Sequence, residues 1–264
     1  MRPGRGPTVT TLVVVGAVAL ALLVVIPVVS LVTRAPWSNA GDILREPANR
    51  TALRLSLQVS LWALVLSVGL GFPIAWVLAR VSFPGRRVVR ALVVLPMVLP
   101  PVVGGVALLV AFGRRGLIGQ WLDRWFDVQL AYTTPAAVLA ATFVSLPFFV
   151  VTVEAALRGV DRRYEDAART MGATPFTVLW RVTIPSIKGA LGAGAALAWA
   201  RALGEFGATI TFAGSFAGRT QTMPLAINRA LDTDVRDAIL LSLVLLAVSV
   251  AVLASLRDRW LGAA

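Results

Sequence analysis

Cysteine and histidine are both missing from the 264 residues, and tyrosine occurs only twice. Without cysteine there are no disulfides, no thiolate metal sites and no thiol nucleophile. Without histidine, most zinc sites, proximal-histidine haem and the commonest general base are excluded. Charge is scarce as well. Asp, Glu, Lys and Arg make up 14% of the chain, against about 25% in a typical soluble domain. Acidic residues are the scarcer kind, 13 against 25 basic ones, which leaves a formal charge of +12. In a soluble chain that excess would point to nucleic acid. Here the basic residues fall between long apolar stretches, so the expected partner is the lipid bilayer and not nucleic acid.

What is abundant is apolar surface, with 58% hydrophobic residues and a mean hydropathy of +0.81. A membrane helix needs ~20 mostly apolar residues. Six stretches qualify, near 11–32, 55–79, 88–112, 136–157, 189–212 and 238–256. Arg2 and Arg5 precede the first, as in a signal peptide. Its apolar run exceeds the usual ~7–15-residue signal core and no small-residue cleavage site follows, so an uncleaved helix is expected. With the N-terminus in the cytoplasm, one side collects 14 basic and five acidic residues, among them Arg80, Arg86, Arg90, Arg158, Arg162 and Arg163. The other side collects 10 basic and seven acidic ones. The basic excess places both termini inside, in the cytoplasmic membrane. No nucleophile and base cluster within the spans, so no catalytic residue and no metal ligand is assigned.

Two segments between spans are too long to be plain connections. The cytoplasmic one, 161–185, carries helix punctuation. Asp161 suits an N-cap, and Glu165 and Asp166 fall in or near the first turn. Gly172 suits the position after a helix end, and Thr174-Pro175 reads as a second N-cap with proline at the first helical position. Two short helices with a tight corner are expected. On the first, Ala167, Ala168 and Met171 form a small apolar knob flanked by charge. Such a helix can lie flat on the membrane surface or dock into a groove on a cytoplasmic partner, and the residues by themselves favour neither.

The fifth stretch contains Arg201 and Glu205 at i, i+4 spacing, roughly 18 Å in from Gly189. Charges at that depth face a bundle interior or a water-filled path. This pair, with Thr209, fixes helix packing or lines a path. In the external segment that follows, Arg219, Thr220, Gln221 and Thr222 gather donors that suit an oxyanion or a docking partner.

The order Asp166-Ala167-Ala168, three residues, Gly172, nine residues, Val182-x-Ile184-Pro185 resembles the EAA loop of ABC import permeases. The departures are Asp for Glu, Val for Ile and Ile for Leu. The strings Ala202-Leu-Gly-Glu-Phe-Gly207 and Arg219-Thr-Gln-Thr-Met-Pro224 resemble the molybdate/tungstate permeases. So do Leu99-Pro-Pro-Val-Val-Gly-Gly105 and Phe112-Gly-Arg-Arg-Gly-Leu-Ile-Gly119.

That resemblance implies an all-α membrane protein of six transmembrane helices, with a cytoplasmic coupling helix between spans four and five. Residues 1–50 would form the first helix and an external loop, 51–256 the transport domain, and 257–264 a short cytoplasmic tail. It implies a permease subunit that moves molybdate or tungstate by alternating access and performs no catalysis itself. Its partners would be a second copy of the chain, two ATP-binding cassette subunits and a periplasmic or lipid-anchored molybdate-binding protein. ATP and Mg would bind to the ATPase and no cofactor to this chain. Glu165, Asp166, Ala167, Ala168, Met171, Gly172 and Pro185 would couple to the ATPase. Arg201, Glu205 and Thr209 would line the path or gate, and Arg219, Thr220, Gln221 and Thr222 would meet substrate or binding protein. The alternatives are a sulfate/thiosulfate-type permease and an ion-coupled secondary transporter. The latter would show paired interrupted spans and intramembrane carboxylates.

Overall fold

Apolar stretches are not broken by proline as such: Pro27, Pro73 and Pro147 lie inside continuous helices, and the breaks fall where a Pro-Pro pair or a glycine beside a buried acid interrupts the ladder. The computed structural model describes residues 7–260. Arg2 and Arg5, residues 261–264 and the side chains of Arg257, Asp258 and Arg259 lie outside the described residues, so the charges they lend to the orientation argument are not placed.

In chain order the helices are α1 Pro7–Arg34, α2 Ala40–Arg45, α3 Pro47–Arg80, α4 Arg86–Val98, α5 Pro101–Phe112, α6 Gly119–Phe126 and α7 Thr134–Gly159. Then come α8 Arg162–Thr170, α9 Pro175–Val178, a π-helical turn Leu179–Thr183, α10 Ile184–Ser186, α11 Lys188–Leu203, α12 Gly207–Phe212, α13 Met223–Thr233 and α14 Val235–Trp260. Four of these are unbroken and long and apolar enough to cross a membrane: α1, α3, α7 and α14.

The remaining two expected spans are broken. The third becomes α4 and α5, whose axes turn by 119° at Leu99–Pro100. Pro100 forces Leu99 out of helical geometry, to φ −66° and ψ 134°. Pro101, lacking an N–H, then starts the next helix. The fifth becomes α11 and α12, interrupted over residues 204–206. Glu205 draws the Ala208 N–H to its own carboxylate (2.8 Å), in competition with helical pairing. The two breaks touch. A Cβ on Gly207 would lie 2.7 Å from Pro101 Cβ, and one on Gly105 would lie 2.7 Å from Thr211 Cβ and 2.8 Å from the Ala208 carbonyl oxygen. Only glycine permits this approach of α5 to α12.

The centre of the bundle is α3, α7 and α11. Phe149 of α7 is wedged against Gly71 of α3 and Gly194 of α11. Ser67 and Ser145 share a buried hydrogen bond of 3.0 Å. Ala63, Ala136, Ala140 and Ala208 fill one end of the interface. Leu78, Val153, Leu157 and Ile187 fill the other. Small residues let backbones approach, and the buried hydroxyl pair satisfies itself where water is absent. The segment expected as an external loop contains α13, which packs on α3 and α14 around Ala52, Met223 and Leu241. Every residue of α1 from 11 to 30 is exposed.

Candidate coupling and translocation sites

At the bundle end formed by the C-termini of α3 and α7, the segment 161–185 folds as its punctuation suggests. Asp161 accepts from the Arg163 N–H (2.9 Å) and Thr174 from the Thr177 N–H (3.2 Å), capping α8 and α9. Gly172 turns the corner with φ +86°.

The knob differs from expectation. Ala168 and Glu165 face the bundle and are buried, whereas Ala167 is exposed and Met171 is 81% exposed. At helical spacing, residues 165 and 168 share one face and 164, 167 and 171 share another. The outward surface is therefore Tyr164, Ala167 and Met171, with Phe176 and Trp180 also exposed beyond the corner. Asp166 is exposed and lies 3.7 Å from Arg169. Pro185 is exposed in α10.

Glu165 does not belong to that outward surface. One of its oxygens, Oε1, accepts from Arg80 Nη2 (2.8 Å) and from the Thr183 hydroxyl (3.0 Å). A second acidic centre lies beside it. Glu154 of α7 pairs with Arg90 of α4 and with Arg158 one turn later on its own helix (2.6 Å). The Leu78 carbonyl near the end of α3 accepts from Arg86 and from Arg158 (3.2 Å). Helix-terminal carbonyls have no partner within the helix, and guanidinium forks fill that need here. Sequence reasoning missed Arg80, Arg90, Glu154 and Thr183. The Glu154–Arg158 pair was visible as i, i+4 spacing; contacts 64 or 85 residues apart leave no local signal.

Midway along the bundle, Arg201 Nη1 and Glu205 Oε2 lie 2.7 Å apart, although the helix ends between them. The alignment misses hydrogen-bond geometry, so Glu205 Oε2 has ionic contact only. The Glu205 side chain is 1% exposed and that of Arg201 is 27%. Arg201 thus retains open donors on a face of α11 that also exposes Ala193, Leu197 and Gly204. Thr209 is buried inside the bundle, away from that face.

The 219–222 string resolves differently from the expected donor cluster. Arg219 is exposed, but Thr220, Gln221 and Thr222 are buried. Thr220 accepts from the Phe216 N–H and donates to the Gly214 carbonyl. Gln221 reaches Ser215, and the Met223 N–H donates to Ser56 of α3 (2.6 Å). Thr134 holds the Arg219 carbonyl (2.8 Å). These residues tie the loop down onto α3 and α7.

The family model described as the binding-protein-dependent transport system inner membrane component matches residues 71–263. The chain belongs to this family. Among the inner membrane components it resembles is the molybdenum transport system permease protein ModB of Mycobacterium tuberculosis. That protein is 46% identical over 243 residues, 92% of each chain. ModB of Escherichia coli K12 is 41% identical over 219 residues, 83% of this chain and 95% of that one. The sulfate transport system permease protein CysT of Escherichia coli K12 is 35% identical over 242 residues, 90% of this chain and 87% of that one. Among solved structures, a bacterial ABC transporter involved in alginate import superposes with a TM-score of 0.79 at 14% identity. The match covers 96% of this chain and 94% of that one. The MetNI methionine ABC transporter superposes at 0.61 and 16% identity, over 82% and 94%. At these identities the likeness is one of fold.

Proposed function

We propose that this chain is the membrane subunit of an ATP-driven importer for molybdate or tungstate. It would work as a pair of copies with two ATPase subunits and a substrate-binding protein outside the membrane. The observation that carries the cargo is the graded likeness: 46% and 41% identity to molybdenum permeases, against 35% to a sulfate permease over similar coverage.

The geometry supports the rest. α8 presents Tyr164, Ala167 and Met171 outward on the basic end of the bundle, a compact apolar surface for a groove on the ATPase, which itself binds ATP and Mg. Arg201 keeps open donors on the exposed face of α11, close in sequence to where the two broken spans meet. α5 starts at that break, so the positive end of its dipole lies within the membrane, where it favours an anion. Two such faces, one from each copy, would enclose a path for a tetrahedral dianion. Glu205 neutralises Arg201 when the path is empty and keeps the anion from binding too tightly to leave.

The test is uptake of radiolabelled molybdate by the assembled complex in liposomes. Uptake is expected to require ATP, to be competed by tungstate, and to ignore excess sulfate. Sulfate competing as well as molybdate overturns the cargo, and uptake without ATP overturns the ATP-driven mechanism.

A further inference from the structure

α8 is a poor fit for its place by packing alone. It has nine residues, about 13 Å of helix, and buries only Glu165 and Ala168. Its covalent link to α7 is Val160–Asp161, both residues in extended geometry, which leaves a swivel. The orientation of α8 must come from elsewhere.

It comes from Arg80, the last residue of α3. The Arg80 guanidinium meets Glu165 at 2.8 Å, with side chains only 8% and 9% exposed. The Arg80 carbonyl accepts from Arg162 of α8 (3.4 Å). The same Glu165 oxygen takes the Thr183 hydroxyl from the π-helical turn that leads through α10 into α11. One carboxylate oxygen therefore joins the ends of three elements: α3, α8 and the entry to α11. A buried pair of this kind resists partial opening, because separating it strands a charge away from water.

We propose that Arg80, Glu165 and Thr183 form a clasp that makes α8 move as one body with the end of α3 and the start of α11. These are positioning residues. They carry a displacement of α8 into the helix that bears Arg201, and the Val160–Asp161 link does not. The proposal rests on the reading that α8 docks on an ATPase. In that reading Glu165 works inside this chain and Tyr164, Ala167 and Met171 meet the partner. Coupling of this sort requires an element with two arrangements that both sites bias, and a rigid joint between α8 and α11 supplies the connection.

The experiment uses the full complex, with this chain, its ATPase and its binding protein in liposomes. ATP hydrolysis and molybdate uptake are measured together. Glu165→Gln should leave hydrolysis in place and lower the molybdate moved per ATP by roughly tenfold, within the range over which changes along a coupling network act. Thr183→Val should lower the same ratio less, and Arg80→Lys, which keeps the charge, should retain part of it. A ratio unchanged in Glu165→Gln and Thr183→Val, or uptake and hydrolysis falling in proportion, overturns the clasp. If Glu165→Gln does not assemble, Thr183→Val decides by the same ratio, because it leaves the ion pair intact. Met171→Glu separates the two readings. Loss of ATPase co-purification there, with a normal ratio in Glu165→Gln, sinks the clasp alone. ATPase retained by Met171→Glu sinks the docking reading and the clasp with it.

Discussion

Gly172 takes φ +86°, and a Cβ placed there would meet nothing within 4 Å. Its requirement is thus conformational and not steric. A β-branched residue in the left-handed region is strained by roughly 1–2 kcal/mol, enough to redirect the corner between α8 and α9. Gly172→Val is therefore expected to abolish uptake while leaving membrane insertion intact. Gly172→Asn should keep most uptake, since asparagine visits this region readily. Normal uptake in the valine variant would remove Gly172 from the coupling site. Residues of this kind were legible in the sequence because their signals are local: a cap, a glycine, a proline after a threonine. Glu165 was legible as a first-turn acid but not as one half of a clasp, because Arg80 lies 85 positions away. Thr220, Gln221 and Thr222 are obscured for a different reason, since their burial has no local signal. Their donor groups suggested an oxyanion site, but Thr220 and Gln221 use theirs within the loop, and the Thr222 hydroxyl is buried without a hydrogen-bond partner among the described residues.

At the scale of elements, hydropathy located the spans but could not show which were continuous. The breaks were written in the sequence as Leu99-Pro100-Pro101 and Gly204-Glu205, and an averaged apolar window smooths both away. Interrupted spans are one mark of a secondary transporter, and two are present here. The family membership and the fold likeness decide the matter, so the interruptions alone do not discriminate. Their role in this bundle is close packing of α5 on α12. Replacing Gly105 or Gly207 by valine sets a Cβ against backbone atoms or the Pro101 ring, which cannot move aside as a flexible side chain would. Overpacking of this sort destabilises by about 1–3 kcal/mol. Gly105→Val and Gly207→Val should both lower the thermal unfolding temperature of the purified protein in detergent. Gly69→Ala, on the exposed face of α3 with nothing within 4 Å, should not lower it. Equal behaviour of the three variants would show that α5 and α12 do not depend on this contact.

For the whole molecule, the charge imbalance that oriented the chain has a structural counterpart. Arg80, Arg86, Arg90 and Arg158 converge on Glu154, Glu165 and the end of α3, at the same end as α8. The opposite end balances its arginines with more carboxylates, such as Arg114 with Asp123 (3.0 Å). By the positive-inside rule the end that bears α8 is expected in the cytoplasm, where an ATPase could reach Met171. The absence of cysteine makes this orientation directly measurable, because any introduced thiol is unique. Met171→Cys and Phe216→Cys place single thiols at exposed positions on opposite ends of the bundle. In intact cells whose outer barrier has been removed, a membrane-impermeant maleimide should label Phe216→Cys at once. It should label Met171→Cys only after the membrane is opened. The reverse pattern would turn the molecule over, place α8 outside beyond the reach of any ATPase, and leave the basic cluster on the wrong side for the rule that oriented it.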